Sequence, residues 1–258
     1  MLVPDIRAYA MHMTTHELRP PVSEPSLFRS DLESLLEESY FPTDMLLRAA
    51  TFRRAVVMSG LTRFPSTDSF WRRPANFNRV ILVVGEAEKT ACDKLGDEST
   101  RRNLVLLKAV CQANADAYIV YKPHPEVWAR MQAQGHAANN LLLWCDECVG
   151  DVPLPQLLPK VNEVHVMSSL AGFEALMRGK KVSCYGQSFY AGWGLTTDIV
   201  PMPERSRQIT LDELVAGVMF SYPRYTRRLA GRRDQVDSAL NNKGATRHER
   251  AVQSVALT

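Results

Sequence analysis

From Arg79 onward, short β-branched and apolar runs alternate with stretches of helical period, and no other feature of this sequence restricts the fold so strongly. RVILVV, AYIVY, LLLW, EVHVM and KVSCY read as strands. Between them, residues 99–114, 126–134, 154–160 and 169–178 carry helical spacing, the first with Leu104, Leu107, Lys108 and Cys111 on one face. Such alternation predicts an α/β fold: a Rossmann-like parallel sheet with helices on both faces. A further helix is announced from Thr210 by the capping box Thr210-Leu-Asp-Glu213.

The chain before this region has a different texture. HELRPPVSEPS is too rich in proline for regular structure and reads as a connector. Ser30 with Glu33 opens a short helix over LESLLEES, a second helix covers residues 43–58, and Gly60 stops it. RFPSTDSFWRRPANFN is a loop. The expected organisation is residues 1–78 as connector and helices, 79–226 as the α/β lobe, and 227–258 as a basic tail without packed structure.

Size and charge narrow the function classes. The 258 residues, 45% of them apolar, suffice for one substantial core with attached helices. A net charge of +3 against 31 basic side chains makes no bulk demand for nucleic acid. No run approaches the roughly 20 apolar residues of a membrane span, and the N-terminus lacks the pattern of a secretory signal. A cytosolic protein is expected. The five cysteines form no framework, and the CxxC of Cys145 and Cys148 has no second ligand pair, so no metal site is expected. VVGEAEKT lacks the glycine spacing of a dinucleotide site.

In open α/β sheets, ligands bind beyond the carboxyl ends of the strands, near helix N-termini. Three strand ends carry unusual chemistry. In YKPHPEV, two prolines stiffen the backbone that presents Lys122 and His124, a cation beside an imidazole that suits phosphate or carboxylate; a solvated turn is the plain alternative. In VMSSLAGFEALMRGKK, Ser168 and Ser169 stand at a helix start and Glu174 lies about one and a half turns inside, against a reading of Ser169 as a simple cap and Glu174 as a surface acid. In YGQSFYAGWGLTTD, glycines and aromatics offer close backbone approach and flat faces, or a packed turn.

These blocks, KPHP, then VHVMSSLAGFEALMRGKKVSCYGQSFYAGWGLTTD, then LDELVAGVMFSYPRY, closely resemble the capsule polysaccharide biosynthesis family of bacterial β-Kdo transferases of the KpsC type. LVVGEAEKTA and LLRAATFRRAVVMSGLTRF extend the resemblance upstream. The resemblance implies one lobe of an inverting, two-lobed GT-B glycosyltransferase in capsule synthesis and export, with CMP-Kdo as donor substrate, no separate cofactor, and a Kdo-bearing glycolipid or oligosaccharide as acceptor. By the logic shared with bacterial sialyltransferases, it puts His124 and Pro125 on the cytidylate, Ser168 and Ser169 on its phosphate, and Glu174 on its ribose. Lys122 would offset phosphate or carboxylate charge, and Gly85, Glu86, Gln187, Tyr190 and Trp193 form a candidate donor loop.

The same resemblance places the family's first lobe, with the acid that deprotonates the acceptor, ahead of Met1. The expected activity is therefore donor binding without transfer by this chain alone, with a separate first lobe or capsule assembly proteins at the inner face of the inner membrane as partners. If the chain does transfer, the base is to be sought among Glu86, Glu88 and Asp198. A non-catalytic nucleotide-binding or regulatory module is the competing class.

Overall fold

A computed structural model describes residues 31–60, 69–87, 98–134, 140–222, with the side chains of 98–101 and 134 left aside. The N-terminal connector, Ser30, Glu88 and the basic tail lie outside the described residues.

Two helices come first, α1 (Asp31–Glu38) and α2 (Thr43–Met58), the latter followed by Gly60 with φ +64°, a conformation open to glycine at little steric cost. The α/β part then runs β1 (Val80–Val84), α3 (Glu98–Ala113), β2 (Tyr118–Lys122), α4 (Pro125–Gln134), β3 (Glu147–Cys148), α5 (Leu154–Leu157), β4 (Glu163–Val166), α6 (Leu170–Met177), β5 (Lys181–Cys184), β6 (Thr197–Asp198) and α7 (Leu211–Ala216). After α7 the chain continues in one π-helical turn, Gly217–Ser221.

The six strands are all parallel in the order β3-β2-β1-β4-β5-β6. This is the doubly wound order, and its direction reverses between β1 and β4. β1 is buried along its whole length, as expected of a central strand covered on both faces. Val80, Leu82 and Val84 point into one core with Val120, Val164, Phe173 and Leu214, whereas Ile81 and Val83 join Leu106, Leu107 and Tyr121 on the opposite face. Leu32, Leu36, Phe52 and Val56 of α1 and α2 belong to the first of these cores.

One local expectation fails. LLLW is not a strand but part of a 3-10 turn, Asn140–Trp144, in which Leu141 is buried while Leu143 is 77% exposed. A short apolar run does not reveal its own period, and the true edge strand is the two-residue β3 just beyond it. On α3 the face read from the spacing of Leu104, Leu107, Lys108 and Cys111 does meet the sheet: Leu107 is buried, and Leu104 and Cys111 pack partly buried against the same core, which Asn103, Leu106 and Val110 complete from the adjacent positions. The capping box is present as read: Thr210 Oγ1 accepts from Glu213 N, and the Glu213 carboxylate accepts from Thr210 N.

Candidate functional site

The register fixes where the site stands. Val84 of β1 pairs with Lys122 of β2 and with Val166 of β4, so three chain segments leave the sheet at one level: Gly85-Glu86, Pro123-His124 and Met167-Ser168. They meet at the point where strand order reverses, where an open α/β sheet forms its crevice.

Glu86 closes that crevice from one side to the other. Its Oε1 accepts from Ser168 N at 2.7 Å and from Ser168 Oγ at 2.6 Å, both short charge-assisted bonds. Its backbone is clamped by the buried Asn103, whose Oδ1 accepts from Glu86 N at 2.9 Å and whose Nδ2 donates to Glu86 O at 3.2 Å. Arg102 Nη2 stands 3.8 Å from the second carboxylate oxygen. Sequence reasoning picked out Glu86 and Ser168 separately, but their pairing across 82 positions is a product of the fold.

Ser169 caps α6, accepting from Ala171 N at 3.2 Å. Neighbouring serines thus take opposite tasks, one bonded to a carboxylate and one to the helix start.

On β2, Lys122 is buried and directs one N–H to the carbonyl of Gly150 at 3.0 Å. Burial lowers its pKa to about 8, against the opposing pull of Asp151. His124 precedes α4, where Pro125 occupies the first helical position and supplies the fixed φ that suits it. His124 Nδ1 accepts from Glu126 N at 3.4 Å, so in the neutral ring Nε2 carries the proton.

Glu174 is not the surface acid of the plainer reading. It is 1% exposed and faces Arg178 at 3.5 Å, one turn along α6. Tyr190 and Trp193 are fully buried and present no face to a base or sugar. Tyr190 donates to Ser169 O and packs on Phe173 and Phe189, and Trp193 Nε1 donates to Phe189 O at 2.8 Å. Arg205 lies over the Trp193 ring and donates to the carbonyls of Ser188 and Ala191. Asp198 accepts from Gly192 N at 2.8 Å and from Thr196 Oγ1 at 2.7 Å. The aromatics therefore build a rigid buttress behind α6, and Gln187, which is exposed, is the candidate left at its surface.

Cys145 and Cys148 are unpaired thiols, pushed up to about 11 and about 12 by burial. Among the described residues no group of three or more His, Cys, Asp or Glu side chains is placed to hold a metal ion.

The family model described as capsule polysaccharide biosynthesis protein matches residues 58–232. The chain belongs to that family. It is 38% identical over 196 residues to the capsule polysaccharide modification protein LipA of Neisseria meningitidis serogroup A, covering 76% of this chain and 28% of LipA. It is 36% identical over 169 residues to the lipopolysaccharide-processing protein LpsZ of Rhizobium meliloti, covering 66% of this chain and 38% of LpsZ. Among solved structures it is similar to the β-Kdo 2,7 transferase of Thermosulfurimonas dismutans KpsC, with 38% identity, a TM-score of 0.56, and coverage of 74% of this chain and 59% of that one. The β-Kdo 2,4 transferase of the same protein gives 26% identity, a TM-score of 0.57, and coverage of 74% and 60%. The chain thus spans just over a quarter of LipA and about three fifths of each solved transferase chain.

Proposed function

We propose that this chain is the donor-binding part of a β-Kdo glycosyltransferase of capsule polysaccharide biosynthesis, and that CMP-Kdo binds at the carboxyl edge of β1, β2 and β4. One observation carries the reading: the register that brings Glu86, His124 and Ser168-Ser169 to a single edge at the reversal of strand order. The similarity to two Kdo transferase structures supports the sugar, and the doubly wound order supports a nucleotide.

In this reading the phosphate lies at the start of α6 by Ser169, where backbone N–H groups and the helix dipole favour an anion. His124 reaches the cytidylate with the proton on Nε2. Donors held in place before reaction stabilise the charge that gathers on departing CMP, since no reorganisation is needed when it forms. Pro125 and Gly85 shape the edge rather than touch the ligand. Lys122 and Glu174 act from behind it, and the acceptor is a Kdo-bearing glycolipid at the inner membrane.

Calorimetry on the purified chain with CMP, CMP-Kdo, UDP and NAD tests the assignment. The cytidine ligands should bind and the other two should not. Equal affinity across the four, or none for CMP, contradicts it.

A further inference from the structure

We propose that Glu86 is a specificity-determining residue that admits a singly charged phosphodiester to the crevice and disfavours a doubly charged phosphate. This rests on the reading of the crevice as a nucleotide-donor site.

Ser168 offers two donors toward the crevice, its N–H and its O–H, and both go to the same oxygen of Glu86. A serine hydroxyl has one proton, so Ser168 Oγ has only lone pairs left to offer. A residue type expected to donate to phosphate is thereby turned into an acceptor, suited to a hydroxyl or amino group of the ligand. Phosphate is left to the neighbouring Ser169 and the start of α6.

The Glu86 carboxylate lies 2.7 Å from Ser168 N, and consecutive Cα atoms are about 3.8 Å apart, so a phosphate bonded at Ser169 lies within roughly 10 Å of that carboxylate. Asn103 fixes the Glu86 backbone, and the carboxylate cannot swing away without breaking its two hydrogen bonds to Ser168. Arg102, at 3.8 Å and 40% exposed, offsets this charge only in part. Each added phosphate charge meets the same fixed anion.

The ligands of the proposed reaction differ in that respect. Transfer breaks the bond between the sugar carbon and the phosphate oxygen, and the electron pair stays on that oxygen. The sugar carbon bonds to the acceptor oxygen, whose proton goes to a general base, a carboxylate of the partner lobe, and from there to solvent. The donor is a monoanionic diester at its phosphate, while the released monoester takes a second charge above pH about 6. The donor's other charge sits on its sugar carboxylate, so at the phosphate itself a fixed carboxylate disfavours the spent nucleotide more than the donor.

The test compares CMP with cytidine 5′-(methyl phosphate), a monoanion, by calorimetry at pH 8 on the full chain and on Glu86→Gln. The glutamine keeps an oxygen for Ser168 and removes the charge. Wild type should prefer the methyl ester by roughly tenfold, the scale of one close charge pair partly screened by water. Glu86→Gln should abolish that preference by tightening CMP. Wild-type binding of both ligands with equal strength, or a preference that survives Glu86→Gln, overturns the proposal alone. The wild-type ratio decides even where the variant does not fold. Absence of binding by either ligand to either protein overturns the donor-site reading as well.

Discussion

The hydroxyl of Tyr121 stands 2.6 Å from the position a Cβ would take on Gly85, closer than any side chain there tolerates. Glycine at residue 85 is thus a requirement of packing at the mouth of the crevice. The same hydroxyl is buried without a hydrogen-bond partner.

Gly85→Ala is therefore expected to destabilise the fold by about 1–3 kcal/mol, the range for overpacking. Tyr121→Phe removes an unsatisfied hydroxyl and should be neutral or stabilising by about 1 kcal/mol. The double variant should recover most of the loss. Urea denaturation of the four proteins checks this, and additive effects without recovery contradict it.

Lys122 gives a pH signature. Its folded pKa, lowered to about 8 by burial, lies below the unfolded value of about 10.5. Between those values the unfolded chain binds more protons, so this group's contribution to stability rises with pH. Wild type should gain on Lys122→Met by up to about 3 kcal/mol from pH 8 to pH 10.5. Taking the difference removes the opposing effect of the buried thiols. A constant difference across that window contradicts the burial of a charged Lys122.

Much of this could be read before any coordinates. β1 and β2 stand out because strands buried on both faces are continuous in β-branched and apolar residues, β4 and β5 keep part of that texture around Glu163, His165, Lys181 and Ser183, and α2 is legible to its last residue. LLLW was not, because a four-residue apolar run fits a strand and a 3-10 turn alike. Within the candidate site, the residue types at strand ends were legible, but their partners were not. Nothing local in the sequence says that Glu86 bonds to Ser168 or that Glu174 faces Arg178. The loop after β5 leaves two readings open for a physical reason: glycine beside aromatics serves both a sugar platform and a tight packed turn, and only the burial of Tyr190 and Trp193 shows that these two rings are packed.

His124 combines two tasks that substitution separates. His124→Asn keeps a side-chain acceptor for Glu126 N, while His124→Ala loses it. Both should weaken CMP binding by roughly 1–3 kcal/mol through loss of the imidazole. Only the alanine variant should lose stability, by about 1 kcal/mol. Calorimetry and thermal melts on the pair distinguish this from a His124 that only caps α4, for which the asparagine variant binds CMP as tightly as wild type.

Transfer by this chain alone is not expected. A hydroxyl acceptor needs a positioned base, and of the candidate bases that the structure describes, Glu86 is committed to Ser168 and Asp198 to Gly192 and Thr196. With CMP-Kdo and a Kdo-terminated glycolipid, product should stay at the level of a no-protein control. Sustained turnover contradicts this and directs attention to Glu88, outside the described residues.

The central claim is that a cytidylate sits at the carboxyl edge of β1, β2 and β4, and amide chemical shifts measured during titration with CMP test it most directly. The account predicts saturable shifts at Gly85, Glu86, His124, Ser168, Ser169 and Leu170, with Gly60, Arg178 and Lys180, which line a cavity away from these residues, left unmoved. Shifts confined to Gly60, Arg178 and Lys180, or no shifts at millimolar CMP, would contradict it.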